Sequence, residues 1–396
     1  MDTHSIYLHI PFCQQRCGYC DFNTYAGISD LIEPYVDALV KEIAACGKSA
    51  RGGVGIPVHT VFLGGGTPSL LTPKQVTSLI EAVKQQFALL PGAEISMEAN
   101  PGTVSQSSLA GYRQAGVNRL SIGVQSANAD ELRLLERQHG YVEAQEAVRL
   151  SREAGFEQIS FDLIYGLPGQ QISAWEHSLN AVLDLAPNHL SLYALSVERG
   201  TPLDGRVTQG LVSEPDPDVA ADIYEWTIEY LAGLGWQQYE ISNWAQRDEN
   251  GELMVSRHNL QYWLNQPYFG FGAGAHGYIS GLRTENEMFP ASYIRAINEE
   301  PSRDYPQTPA TINATEIDRY MEMQETMMMG LRLVQHGVSR ERFLTRFGED
   351  FTDVFSAEIK ELLMKSLLEW TRGDEERLRL TKHARILGNQ VFQYFV

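Results

Sequence analysis

The chain has 396 residues, and 31 Lys plus Arg against 50 Asp plus Glu give it a formal net charge of −19. That acidity argues against a nucleic-acid footprint, which needs a basic surface. No stretch approaches the roughly 18 apolar residues of a membrane span, Met1 to Ile10 lacks the basic and apolar segments of a signal peptide, and four cysteines are too few for a disulfide framework. The expectation is a soluble, cytoplasmic protein with reduced thiols.

In chain order, Ser5 to Ile10 alternates and is rich in β-branched and aromatic residues, so it reads as a strand. It runs into Cys13-Gln14-Gln15-Arg16-Cys17-Gly18-Tyr19-Cys20-Asp21-Phe22, which holds three of the four cysteines. Pro34 opens a predicted helix whose apolar positions Tyr35, Ala38, Leu39, Ile43 and Cys46 recur at helical spacing before Gly47. This places Cys46 on a packed face as a small buried hydrophobe and not as a fourth ligand. After a glycine-rich break at Arg51 to Gly55, the strand Val58 to Leu63 ends in Gly64-Gly65-Gly66-Thr67-Pro68.

The alternation continues with helix Pro73 to Phe87, strand Glu94 to Glu98, helix Ser107 to Ala115 and strand Arg119 to Gln125. Helix Val142 to Ala154, strand Ile159 to Ile164, helix Trp175 to Leu185 and strand His189 to Ala194 complete six β/α units. Such alternation predicts parallel pairing with right-handed crossovers. Functional groups of such folds gather at the carboxyl ends of the strands, where Cys13, Gly65, Glu98, Gln125 and Asp162 would lie. A partial barrel and a doubly wound open sheet both satisfy this pattern.

Beyond the sixth strand the pattern changes. Asp216-Pro217 starts a predicted helix over Val219 to Leu234 with Gly235 as its stop, and Gln238 to Trp244 reads as a late strand. Tyr268 to Gly277 mixes glycine with aromatics, which suggests backbone brought close to something flat or large. From Ala291 the composition is helical, with a linker at Pro301 to Pro309. Met321, Met323, Met327, Met328 and Met329 read as helix core. Phe343 to Leu380 reads as helices followed by a β-wing turning at Gly373-Asp374, and the acidity makes this a packing module and not a DNA reader.

The chemistry concentrates in the cysteine stretch. Thiolates ligate zinc and iron–sulfur clusters, and a closed zinc site wants four donors. Three cysteines within eight residues can hold one face of a [4Fe-4S] cube and leave the fourth iron open. The residues alone favour a cluster and leave zinc as the alternative.

Cys13-x-x-x-Cys17-x-x-Cys20 resembles the signature of radical S-adenosylmethionine (SAM) proteins. Together with Tyr7-Leu8-His9-Ile10-Pro11-Phe12, the Gly64 to Pro68 run, Glu98-Ala99-Asn100-Pro101, Ser121 to Ser126 and Asp162 to Pro168, it resembles the oxygen-independent coproporphyrinogen oxidase family. The resemblance runs from Tyr7 to at least Gly277. It implies a partial (β/α)6 barrel over 1–245, a connecting segment over 246–300 and a smaller, mainly helical, winged-helix-like domain over 301–396.

The resemblance also implies a [4Fe-4S] cluster on Cys13, Cys17 and Cys20, with SAM chelating the open iron. Gly65, Gly66 and Thr67 would approach its methionyl part, Glu98 its ribose, and Tyr7 and Tyr19 would line it. Gln125, Arg137 and Asp162 match residues that hold a second SAM in the decarboxylase. That branch carries a further cysteine where this chain has Phe22. Gly18 to Asn23 and His258-Asn259-Leu260-Gln261-Tyr262-Trp263, an HNxxYW motif, instead resemble the HemW branch of haem chaperones. His258 would then ligate haem iron, and Tyr262 and Trp263 would face the porphyrin. His276 is a second, weaker candidate. The implied partners are haem and apo-haemoproteins such as respiratory enzymes, with room for a homodimer and no nucleic acid. The alternative is a radical SAM enzyme that decarboxylates porphyrinogen propionates.

Overall fold

The structure is a computed structural model and describes residues 3–49, 55–371, 373 and 375–396. The predicted break at Arg51 to Gly55 and the turn at Gly373-Asp374 lie partly outside the described residues. The chain divides into two compact units, residues 1–223 with 267–315, and residues 224–266 with 316–396. Residues 267–315 thus group with the first unit.

In the first unit, six strands follow one another in the sheet as they do in the chain. They are β1 (His4–Ile10), β2 (Pro57–Gly65), β3 (Ala88–Ala99), β4 (Arg119–Gln125), β5 (Gln158–Tyr165) and β6 (His189–Ala194). Each pairs in parallel with the next. Their centres are near-continuous apolar runs, Leu8, Leu63, Met97, Ile122, Leu163 and Leu192 among them, as parallel strands covered on both faces require.

The connecting helices are α1 (Ile32–Ser49), α2 (Pro73–Gln86), α3 (Gln106–Ala115), α4 (Ala129–Leu134), α5 (Tyr141–Glu153) and α6 (Ile172–Leu183). Local chemistry sets their ends. Thr72 and Gln75 form a reciprocal capping box on α2, Ser105 and Ser108 form another on α3, and Gly116 closes α3 in the left-handed region. The sequence pattern overlooked α4, which is too short to show a period.

The other neighbour of β1 is not β6 but Tyr268–Phe271, which runs parallel to it. The barrel is therefore open. His276–Ile279 and Leu282–Asn286 extend that edge as an antiparallel ribbon, and Thr311–Glu316 follows in the order. The glycines of this segment bring backbone close to other parts of the protein. A Cβ on Gly270 would sit 1.8 Å from the His276 carbonyl oxygen, and one on Gly272 would sit 2.6 Å from the Tyr35 hydroxyl.

In the second unit, Gln237–Glu240 and Asn243–Ala245 pair antiparallel, so the single late strand expected there is a tight two-strand turn. The C-terminal part is mainly helical, with Arg319–Gly330, Arg340–Phe347 and Ser356–Met364, and a three-stranded sheet of Val338–Ser339, Arg377–Leu380 and Leu368–Trp370. Met323 and Met327 are buried in its core with Phe343, Phe351, Leu362 and Phe395. Met328 packs against the same core, while Met321 stays exposed.

Candidate metal and cofactor site

The cysteine loop leaves the carboxyl end of β1. Phe12–Cys13 pairs in parallel with Tyr25–Ala26, and the Tyr25 N–H donates to the Pro11 carbonyl at 2.7 Å, so the loop is closed at its base. Within it the Cys20 N–H donates to the Cys17 carbonyl at 3.2 Å. All three thiols are free and half-buried. The Thr67 hydroxyl donates to Cys13 Sγ at 3.6 Å, Arg137 Nη1 donates to Cys17 Sγ at 3.3 Å, and Thr24 Oγ1 lies 3.8 Å from Cys20 Sγ. Burial pushes the Cys13 thiol up, opposed by Thr67.

Each sulfur thus faces a donor, which suits thiolates that carry metal. Among the described residues no three His, Cys, Asp or Glu side chains converge on one ion. An iron–sulfur cube makes no such demand, because each thiolate takes a different iron. Cys46 is 1% exposed on α1 and burial pushes its thiol up, in keeping with a packing role.

The Gly64 to Thr67 run lies along this loop. The Gly66 N–H donates to the Ile10 carbonyl at 2.9 Å and the Thr67 N–H to the Phe12 carbonyl at 2.8 Å. A Cβ on Gly66 would stand 2.7 Å from the Phe12 carbonyl oxygen. At Gly65, with φ of +118°, it would stand 2.5 Å from the His9 ring. The glycines therefore lock the second strand end onto the first. Tyr7 points its hydroxyl at His9 Nδ1 across 2.9 Å, while His9 Nε2 lies 2.9 Å from the Asn23 carbonyl. The sequence reading gave His9 no role of its own, though its position two residues after Tyr7 puts both on one face of the strand.

Two carboxylates close the far side. Glu98 Oε2 accepts from the Gly65 N–H at 2.9 Å. Burial and the nearby Asp162 push Glu98 up to about 7, against that hydrogen bond. Asp162 accepts from the Ser121 hydroxyl at 3.0 and 3.1 Å. Burial raises it to about 6, opposed by Ser191, Ser121, Arg119 and Arg137. Register explains the assembly, since Glu98 stands opposite Ser121 and Asp162 opposite both Gly123 and Ser191. Gln125 sits at a register shift with φ of +67°, a left-handed backbone at the mouth of the site.

Arg137 joins the carboxylate side to the cysteines. Besides its bond to Cys17, its Nη2 donates to the Gly123 carbonyl at 3.0 Å and lies 3.5 Å from His139 Nδ1. Burial and the Arg137 charge hold His139 down at about 4, so its ring is neutral. Burial opposes the Arg137 charge, but Tyr19 and Cys17 more than offset it. Tyr19 is raised by burial and packs against Leu135, Ile164 and Leu167. Of the nine residues expected to hold SAM, Gly65, Gly66, Thr67, Glu98 and Gln125 lie at or just beyond strand carboxyl ends and Tyr19 and Arg137 lie in the segments beyond, whereas Tyr7 and Asp162 stand mid-strand.

The HNxxYW residues lie in the second unit, on the short helix Arg257–Trp263, which Ser256 caps by accepting from the Asn259 N–H. His258 is 2% exposed, its Nε2 lies 3.0 Å from the Tyr262 hydroxyl, and the two rings meet edge to face at 5.1 Å. The guanidinium of Arg332 lies 4.4 Å from the centre of the Trp263 ring. His276 lies in the first unit, exposed on its edge ribbon.

Residues 7–182 match the radical SAM superfamily and residues 317–387 match the HemN C-terminal domain. The chain is 38% identical over 398 aligned positions to the protein of Bacillus subtilis named Heme chaperone HemW, covering 99% of each. It is 37% identical to the mouse Radical S-adenosyl methionine domain-containing protein 1, mitochondrial, over 92% of this chain and 81% of that protein. In three dimensions it resembles the coproporphyrinogen III oxidase (HemN) of Escherichia coli, with a TM-score of 0.81 at 23% identity over 100% of this chain and 90% of that one. That likeness establishes the fold alone. The family itself implies SAM and a [4Fe-4S] cluster, and no helix among the described residues is long and apolar enough to cross a membrane. Motifs, fold and full-length similarity agree, and the chain belongs to the HemW family of radical SAM proteins.

Proposed function

We propose that this protein is a haem chaperone that binds haem and passes it to apo-haemoproteins, respiratory enzymes among them, in the cytoplasm. Phe22 carries the reading. It is 64% exposed and stands where the resemblance gives the decarboxylase branch its additional cysteine. The names of the full-length relatives support the same reading. Cys13, Cys17 and Cys20 hold the cluster in this proposal. Tyr7, Tyr19, Gly65, Gly66, Thr67, Glu98, Gln125, Arg137 and Asp162 surround SAM. When bound, cluster and SAM together supply one-electron chemistry.

Haem is the cargo, and His258, Tyr262 and Trp263 are its proposed contacts. His258 reaches iron through Nε2 only if it gives up the Tyr262 hydroxyl, at a cost of about one neutral hydrogen bond. Haem titration of the anaerobically reconstituted protein should give a saturable Soret shift that H258A loses. Y262F, which removes the hydroxyl at 3.0 Å from Nε2, should keep the Soret shift that H258A loses. An H258A titration identical to wild type removes His258 as the ligand. Formation of protoporphyrinogen from coproporphyrinogen III, SAM and a reductant overturns the chaperone reading.

A further inference from the structure

The three cysteine sulfurs have unequal surroundings. Cys13 and Cys20 face neutral threonine hydroxyls at 3.6 and 3.8 Å, whereas Cys17 accepts from a guanidinium at 3.3 Å. That guanidinium is firmly placed, by its bond to the Gly123 carbonyl at 3.0 Å and by the His139 Nδ1 at 3.5 Å. No ion pair within 4 Å engages it among the described residues, and the carboxylate its charge reaches is Asp162, across the site from Cys17. The Arg137 Nε is buried and has no hydrogen-bond partner among the described residues.

We infer that Arg137 tunes the cluster through Cys17, holding its reduction potential above that of a cluster ligated by thiolates with neutral donors alone. The inference rests on the proposed ligation by Cys13, Cys17 and Cys20. A reduced cluster carries one more negative charge than an oxidised one. A buried cation that donates to a ligand sulfur therefore stabilises the reduced form more, and hydrogen bonds to sulfur are a principal control on cluster potential. Low local dielectric magnifies the effect. Arg137 is a positioning residue here, since it touches the ligand sulfur and acts through it. Its grip on Gly123, just before the register shift at Gln125, ties the Cys17 corner to the carboxylate side of the site.

The test is an EPR-monitored redox titration of the reconstituted protein without SAM, which separates this role from any contact of Arg137 with that molecule. Iron content is measured in parallel. In R137Q the midpoint should move to more negative potential. R137K keeps the charge but not the fork, and its midpoint should fall between R137Q and wild type. T67V, which removes a neutral donor from Cys13, should shift it less than R137Q does. A wild-type protein with no [4Fe-4S] signal defeats the ligation on which the inference rests. A wild-type signal with the same midpoint in R137Q defeats the inference itself. Loss of iron from both Arg137 variants overturns it too, since that makes Arg137 a residue of cluster retention. If R137Q alone loses iron, a negative shift in R137K sustains the inference and an unchanged midpoint there refutes it.

Discussion

Replacing Glu42 by Gln probes the scaffold behind the cysteine loop. This fully buried carboxylate on α1 accepts from the Gly272 N–H at 2.8 Å and from the Tyr293 hydroxyl, Asn286 Nδ2 and the Thr308 hydroxyl, each at 2.7 Å. Gln keeps one acceptor oxygen and turns the other into a donor, which leaves two of the four donors without an acceptor. At roughly 1 to 2 kcal/mol for each, E42Q should cost about 2 to 4 kcal/mol. Burial raises Glu42 from 4.5 to about 6 despite the four hydrogen bonds.

A carboxyl raised on folding makes the native state bind protons more tightly than the unfolded one. Stability from this group therefore falls as pH rises between about 4.5 and 6, by about 2 kcal/mol in all. Gln has no such dependence. The E42Q loss should accordingly be smaller at pH 8 than at pH 5, by about 1 kcal/mol. Amide hydrogen exchange over residues 268–279, measured for both proteins at both pH values, reads the local free energy of opening. An equal loss at both pH values refutes the raised pKa. A larger loss at pH 8 means that the hydrogen bonds outweigh burial.

Three further outcomes are expected. Alanine at Cys13, Cys17 or Cys20 should abolish the brown colour and the content of about four irons per chain, while C46A should keep both, and iron analysis after anaerobic reconstitution decides. SAM should bind more tightly as pH rises through about 7, where Glu98 ionises to accept the ribose hydroxyls, with up to about tenfold loss per pH unit below. Removing the Asp162 charge in D162N should move that midpoint down, whereas calorimetric affinities flat from pH 6 to 8 would exclude Glu98 as the acceptor. G66A should cost roughly 1 to 3 kcal/mol in thermal or urea unfolding, since its Cβ meets a carbonyl oxygen at 2.7 Å. G102A, whose nearest neighbours lie at 4.0 Å, is its near-neutral control.

The sequence by itself determined the order and type of the elements in the sheet. Arg119–Gln125 and His189–Ala194 have the limits that alternation and flanking turns indicate, because short apolar-rich segments between amphipathic helices favour parallel strands. It also determined the cysteine trio, whose spacing is local, and the strand-end residue Glu98, since parallel topology sends every strand's carboxyl end to the same side, whereas Asp162, expected at a strand end, stands mid-strand in Gln158–Tyr165. Local patterns could not decide what depends on distant partners. Tyr268–Phe271 displaces any closing strand from β1 because backbone hydrogen bonding fixes that neighbour, and no short-range signal records it.

Arg137 meets Cys17 across 120 positions of sequence, and Glu42 gathers donors 230 to 266 positions away. The glycines of the Gly64 and Gly270 segments signalled a close approach, but only packing showed that His9, the Phe12 carbonyl and the His276 carbonyl are what approach them. In His258 the sequence displayed an imidazole beside aromatics, and the tertiary structure determined that it is buried with Nε2 turned to Tyr262. Chemistry carried by neighbours in the chain is legible one residue at a time, whereas burial, and with it charge state and accessibility, exists only once distant segments have closed around the group.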